Sequence, residues 1–141
     1  MGNVSSLSSL SSSFSSNNIS YIKNFNFEEM LIEINNNSNI IINTMDENNQ
    51  ECLIPNTIAP YQEVKLLNEC LNDNKNQKII IYGTNNNDEK IFIKYQQLIG
   101  LGFTNVSIYI GGMFEWLLLQ EIYGIDKFPT TTSELDILKY K

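Results

Sequence analysis

Along this chain, short continuous apolar runs alternate with longer stretches in which apolar residues recur every three or four positions, and the two patterns predict strands and helices in turn. The sharpest change is at Lys78 to Asp88. Ile79, Ile80, Ile81 and Tyr82 form the unbroken β-prone run of a central parallel strand covered on both faces, and Gly83, Thr84, Asn85, Asn86, Asn87 and Asp88 then turn the chain with no apolar anchor. Asn87 or Asp88 caps the next helix, whose face is Ile91, Lys94, Tyr95, Leu98 and Ile99, with the Lys94 stem along its edge; Gly100 and Gly102 stop it.

Upstream, Ile19 to Lys23 reads as a short first strand. Asn26 with Glu29 three residues on has capping-box spacing, and Phe27, Met30, Leu31 and Ile34 give the helix one apolar face before the Asn35 to Asn39 cluster ends it. Ile40 to Thr44 is a second buried-type strand, closed by a polar turn from Met45 to Gln50. Cys52 to Ile58 is a brief extended segment. Pro60 then opens a helix with a core stripe of Val64, Leu67 and Leu71, flanked by Leu66 and Cys70. Asn105 to Ile110 is the next strand. After Gly111 and Gly112 comes a helix so apolar on all sides, from Met113 through Trp116 to Ile122, that it is expected to be mostly buried. Thr131 and Glu134, in capping-box spacing, predict a last short helix over 131–139. This strand and helix alternation from Ile40 to Gly124 is the signature of βαβ units and a parallel sheet.

Composition narrows the chemistry. The 141 residues suit one domain, and the net charge is −7, with every basic residue a lysine and neither histidine nor arginine present. Phosphate-backbone binding draws on clustered basic residues, so no nucleic-acid partner is expected. Without histidine, Ser-His-Asp and Cys-His catalysis and an ordinary zinc site fall away, and no metal or cofactor is expected. Two cysteines make no disulfide framework and point to reduced thiols in a cytoplasmic protein. Cys70, at a helical core position, reads as a small buried hydrophobe.

Residues 1–18 are a low-complexity Ser-rich arm, too poor in core residues to pack, with the domain proper over 19–141. The first six residues fit the N-myristoylation pattern, with Gly2 as acceptor and Ser6 at the hydroxyl position; the other reading is a plain tail. A single myristoyl chain gives only weak, reversible membrane contact, and the arm holds no cysteine or basic cluster to strengthen it.

Four stretches together resemble the rhodanese-like family, over roughly Ile19 to Tyr123. Ile41 to Met45 is similar to its strand ending in Asp-Val-Arg, and Cys52 to Ile58 to its Gly-His-Ile-Pro-Gly-Ala segment, keeping only Ile-Pro. Lys78 to Asp88 matches its strand and active-site loop, and Leu98 to Trp116 its helix, Gly, strand, Gly-Gly, helix and Trp ending. The resemblance implies an α/β fold in three layers, a central parallel sheet flanked by helices. It also implies a persulfide-carrying cysteine directly after the strand, in a Cys-x-x-Gly-x-Arg loop. Here that position is Gly83, and the loop's glycine and arginine are missing too. A persulfide carrier needs a low-pKa sulfur, and glycine has no side chain. The expectation is therefore a catalytically silent member with no catalytic residue in the loop, acting as a protein-binding or regulatory module through Gly83 to Asp88. Those backbone amides either hold an anion beside Lys90 or are merely structural. The alternative function is sulfur transfer by a non-standard cysteine, Cys52 or Cys70.

Overall fold

The computed structural model describes residues 22–141. Their sheet has four parallel strands, β1 (Lys23–Phe25), β2 (Ile40–Asn43), β3 (Ile79–Tyr82) and β4 (Val106–Tyr109), in the spatial order β1-β4-β3-β2. The helices are α1 (Phe27–Glu33), α2 (Pro60–Asp73), α3 (Lys90–Leu101) and α4 (Gly112–Tyr123). Strand residues alternate between two cores. Ile41, Ile80, Tyr82 and Tyr109 pack with Met30 of α1 and Met113, Trp116 and Leu117 of α4, whereas Ile40, Ile42, Ile79, Ile81 and Ile108 pack with Leu67 of α2 and Ile91 and Leu98 of α3. The result is three layers. The chain crosses from β1 to the far edge over one face, then steps back from β2 through β3 to β4 over the other, as same-handed crossovers in opposite directions require.

Several local expectations are met in detail. Asn26 and Glu29 exchange both capping-box bonds at the start of α1, at 2.8 and 3.1 Å. Pro60 opens α2. Thr57, in the extended segment, forms an isolated parallel bridge with Ile41 outside β2.

Other expectations need correction. The first strand is Lys23–Phe25, and the expected residues Ile19 to Tyr21 lie outside the described ones. It is an edge strand in which only Phe25 is buried, so polar Lys23 and Asn24 are tolerated. Val64 is exposed: Glu63 takes the inward place one turn before Leu67 and pairs with Lys94 of α3. Cys70 is half-buried, at the margin of the α2–α3 core. Ile99, one step round α3 from buried Leu98, faces outward. In α4 the sheet takes Met113, Trp116 and Leu117, while Leu118, Ile122 and Tyr123 remain exposed, because a sheet covers only one side of a helix.

The last helix is a single 3-10 turn, Ile137–Tyr140. Thr131 does not cap it. Its hydroxyl is engaged with Glu51 and Leu53 instead, and Glu134 accepts the Asp136 N–H and pairs with Lys139. Among the described residues no helix is long and apolar enough to cross a membrane.

Candidate functional site

The loop from Gly83 to Asp88 leaves β3 at the centre of the sheet's C-terminal edge, where open α/β sheets place their ligands. Tyr82 anchors it from below. Its phenol is fully buried, accepts the Ile54 N–H at 3.2 Å and shares a hydrogen with Thr57 Oγ1 at 2.8 Å; burial pushes its pKa up, despite those hydrogen bonds, so it stays protonated.

The loop is knitted around one carboxylate. Asp88 Oδ2 accepts the Thr84 N–H at 3.0 Å and the Thr44 hydroxyl at 3.3 Å, while Oδ1 accepts the Lys90 N–H at the start of α3 at 3.0 Å. The N-cap position falls to Glu89, one residue beyond the expected Asn87 or Asp88, and its side chain makes no cap bond; Asp88 still binds the first helical N–H as an N-terminal acid, and a second role is added. A Cβ placed on Gly83 would lie 2.4 Å from Asp88 Oδ2 and 2.8 Å from Thr44 Oγ1. The space a side chain at position 83 would enter is filled by the carboxylate and the hydroxyl.

Two further loop amides are committed. Asn87 N–H donates to Asn85 Oδ1 at 2.8 Å and Asp88 N–H to the Asn85 carbonyl at 3.2 Å. On the other side α4 begins against the loop: Met113 and Phe114 N–H donate to the carbonyls of Gly83 and Thr84 at 3.0 and 2.9 Å. That approach needs Gly112, whose φ is +67° and whose added Cβ would sit 2.6 Å from the Gly83 carbonyl oxygen. Two donors at the positive end of the α4 dipole are thereby spent on the loop's own carbonyls rather than left for a ligand.

The charge nearby is acidic and paired. Lys90 lies 2.7 Å from Asp46, whose hydrogen bond and charge raise the lysine's pKa. Glu115 folds back over Gly111 and accepts the buried Tyr109 hydroxyl at 2.6 Å; burial and that carboxylate push the phenol's pKa up. Gly83 is buried, Thr84, Asn85 and Asp88 are half-buried, and Asn86 and Asn87 are exposed. Two clefts flank them. One of about 260 Å³ lies between Asn86, Phe114, Glu115 and Leu118, and one of about 330 Å³ between Thr44, Met45, Pro60, Lys90 and Ile93.

Neither thiol reaches the loop position. Cys52 is buried under the C-terminal segment, donating to the Thr132 carbonyl at 3.3 Å, and Cys70 lies at the margin of the α2–α3 core. Burial, then the charges of Glu69 and Asp73, push the Cys70 thiol up. Gly2 lies outside the described residues. Among the described residues no three His, Cys, Asp or Glu side chains converge as a metal site.

Two contributors were not read from the sequence. Thr44, at the end of the neighbouring strand, helps to fill the Gly83 position, and Asn85 Nδ2 donates to the carbonyl of Tyr140 at 2.8 Å. The first had a signal, since parallel strands pairing Asn43 with Tyr82 bring their next residues together. The second, across 55 positions, had none.

Comparison with known proteins places these features. The profile described as "Rhodanese-like domain" matches residues 27–119. No curated protein sequence matches. Three solved structures share the fold: the Alr3790 protein of Anabaena sp. (TM-score 0.56, 20% identity, 82% of this chain and 97% of that one), the BH2092 protein of Bacillus halodurans (0.57, 18%, 87% and 93%), and a full-length protein of Lactobacillus plantarum (0.56, 12%, 80% and 94%).

Proposed function

We propose that this chain, which belongs to the rhodanese-like domain family, transfers no sulfur and serves as a protein-binding module. One observation carries the reading: the Asp88 carboxylate stands 2.4 Å from where a side chain on Gly83 would begin. The family's sulfurtransferases carry their cysteine at the position that Gly83 resembles. Here the position lacks a sulfur and its space is taken by a fixed negative charge, which would repel the thiolate and the anionic donor such chemistry uses.

The two remaining thiols support the same reading. Cys52 is buried, with its sulfur covered by the Thr132 carbonyl; Cys70 has its pKa raised, the opposite of what a persulfide carrier requires. What the loop offers outward is Asn86 and Asn87, amides able to donate and accept, between two clefts with partly apolar walls. Such a surface suits a protein segment rather than a small anion. As part of this reading, Gly2 carries a myristoyl chain that gives weak membrane contact to a cytoplasmic protein.

Sulfur transfer from thiosulfate to cyanide tests the proposal, with the full chain and its Cys52→Ser/Cys70→Ser variant side by side. No turnover by either is expected. Turnover by the full chain that disappears in the variant would overturn the reading in favour of a sulfurtransferase with a non-standard cysteine. For docking, a partner retained by the full chain is expected to be lost on Asn86→Ala/Asn87→Ala. For the lipid, incubation with an N-myristoyltransferase and myristoyl-coenzyme A is expected to shift the intact mass by one acyl group; an unshifted mass removes the membrane contact.

A further inference from the structure

Everything from Gly124 onward lies beyond the segment that the family profile matches, yet it is fastened to the candidate site. Phe128 and Tyr140 are buried in the core that holds Tyr82, Met113 and Trp116. Trp116 Nε1 donates to the Pro129 carbonyl at 2.8 Å, Gln120 Nε2 to Phe128 at 2.7 Å and, at the far end, Asn85 of the loop to Tyr140 at 2.8 Å. Between these anchors residues 129–136 form neither helix nor strand. Midway, Thr131 makes the seam with the segment before α2: its N–H donates to the Leu53 carbonyl at 2.9 Å, its hydroxyl accepts the Leu53 N–H at 2.9 Å, and the same hydroxyl donates to the Glu51 carbonyl at 2.7 Å. Thr131 is nonetheless exposed.

We propose that Thr131 is the latch of a C-terminal strap and a modification site whose phosphorylation releases that strap. A protein kinase moves the γ-phosphoryl group of ATP onto Thr131 Oγ1, the hydroxyl proton leaves to solvent and ADP departs. The oxygen then has no hydrogen for the Glu51 carbonyl, which keeps only the longer bond from Thr132 Oγ1 at 3.2 Å, and a bulky group bearing nearly two negative charges stands at the seam. Phosphorylation orders a segment where arginines can receive it, but this chain has no arginine. Glu51 lends the seam its backbone carbonyl, Glu134 lies three residues on, and Lys139 is committed to Glu134 at 2.7 Å. The charge nearest in sequence is therefore acidic, and the lysine paired with it is already taken. The same acids, Glu134 and Asp136, give the segment the character that an acid-directed kinase reads.

The far anchor is a single residue. Tyr140 is buried in the core, its carbonyl accepts the Asn85 amide and Lys139 lies against its ring, so this end of the strap is held by packing and the Asn85 bond. Once the seam opens, Tyr140 leaves, Asn85 loses its carbonyl and Cys52 loses the Thr132 oxygen that covers it. As a control on docking at the loop, this rests on the binding reading above; as a property of the strap, it does not.

The full chain, incubated with an acid-directed serine/threonine kinase and MgATP, is mapped by tandem mass spectrometry and then followed by hydrogen exchange. Phosphate is expected on Thr131, with exchange at least tenfold faster over 128–141, 51–54 and 83–88 and unchanged over the strands. Thr131→Ser should accept phosphate and behave alike, and Thr131→Val, which loses the hydroxyl's two bonds but gains no charge, should refuse phosphate at this position and speed exchange over 128–141 far less than phosphorylation does. Failure of Thr131 to accept phosphate, a phosphorylated chain with unaltered exchange over 128–141, or loss of protection in the strands as well would each overturn the latch. A strap that opens on a chain retaining no partner would sink the docking reading and leave the latch standing.

Discussion

If the Asp88 carboxylate fills the side-chain space of position 83, the two residues must be energetically coupled, and a double-mutant cycle measures the coupling. Gly83→Ala places a methyl group 2.4 Å from Asp88 Oδ2 and 2.8 Å from Thr44 Oγ1, about 1 Å inside ordinary contact. The backbone at Gly83 is not in the left-handed region, so strain in φ adds nothing. The carboxylate has to withdraw, giving up its bonds to the Thr84 N–H and the Thr44 hydroxyl. Bonds to a charged group contribute about 1.5–3 kcal/mol each, and the low end applies at this half-exposed site, for a loss of about 3 kcal/mol. Alanine's stiffer unfolded chain offsets about 0.4–1 kcal/mol of that. The net destabilisation is about 2 kcal/mol, which at a urea m-value of about 2 kcal/mol/M lowers the midpoint by about 1 M. Fluorescence of Trp116, the single tryptophan and fully buried, reports the transition. Made in an Asp88→Ala background, Gly83→Ala should be close to neutral, giving a coupling of about 2 kcal/mol against the few tenths expected of independent sites. Equal shifts in the two backgrounds would refute the claim that the carboxylate occupies this space.

Other consequences are open to measurement. Burial alone would raise the pKa of Glu33, but hydrogen bonds from Lys78 and Asn39 and the lysine's charge lower it on balance. A depressed folded pKa contributes stability above the unfolded value of about 4.3 that is lost as pH falls through the folded one. Glu33→Gln should therefore destabilise by about 1 kcal/mol at pH 7 and by almost nothing once the pH is below the folded pKa, in urea melts across that range. Ser107 Oγ is buried in β4 without a partner, so Ser107→Ala should leave the thermal midpoint unchanged or raise it, by up to about 1–2 kcal/mol of stability. Trp116→Phe removes the bond to Pro129 and reshapes the edge contact with Phe128 at 5.2 Å; a loss of about 2–4 kcal/mol is expected, with exchange over 124–136 rising more than over the strands. Gly112→Ala meets both a positive φ and the Gly83 carbonyl, and should cost at least about 2 kcal/mol, visible as a lowered thermal midpoint.

The sheet was legible because buried parallel strands leave a signal nothing else in the chain imitates: Ile40 to Ile42 and Ile79 to Tyr82 are continuous β-branched or aromatic runs with polar turns on both sides. Capping was legible at Asn26, where both partners lie within one helical turn. The same spacing misled at Thr131. A capping box is only an offer of hydrogen bonds, and Glu51 and Leu53, some 80 positions away, offered better ones. Val64 misled for a related reason: periodicity says which residues share a helix face but not how that face is turned on the sheet, and the pairing of Glu63 with Lys94 turned it.

What the sequence determined by itself was the fold class and an absence. Alternating runs require a parallel sheet with helices on both faces, and a glycine directly after the central strand leaves no nucleophile there, whatever the packing. What only the tertiary structure decided was how that vacant position is used. Asp88 reads along the chain as a helix-starting acid. Because Thr44 and Thr84 present a hydroxyl and an amide toward the same point, its second oxygen closes the position as well. The strap from Phe128 to Tyr140 was settled in the same way. Its anchors belong to residues tens of positions apart, and contacts of that range exist only once the sheet has brought its strand ends to one edge.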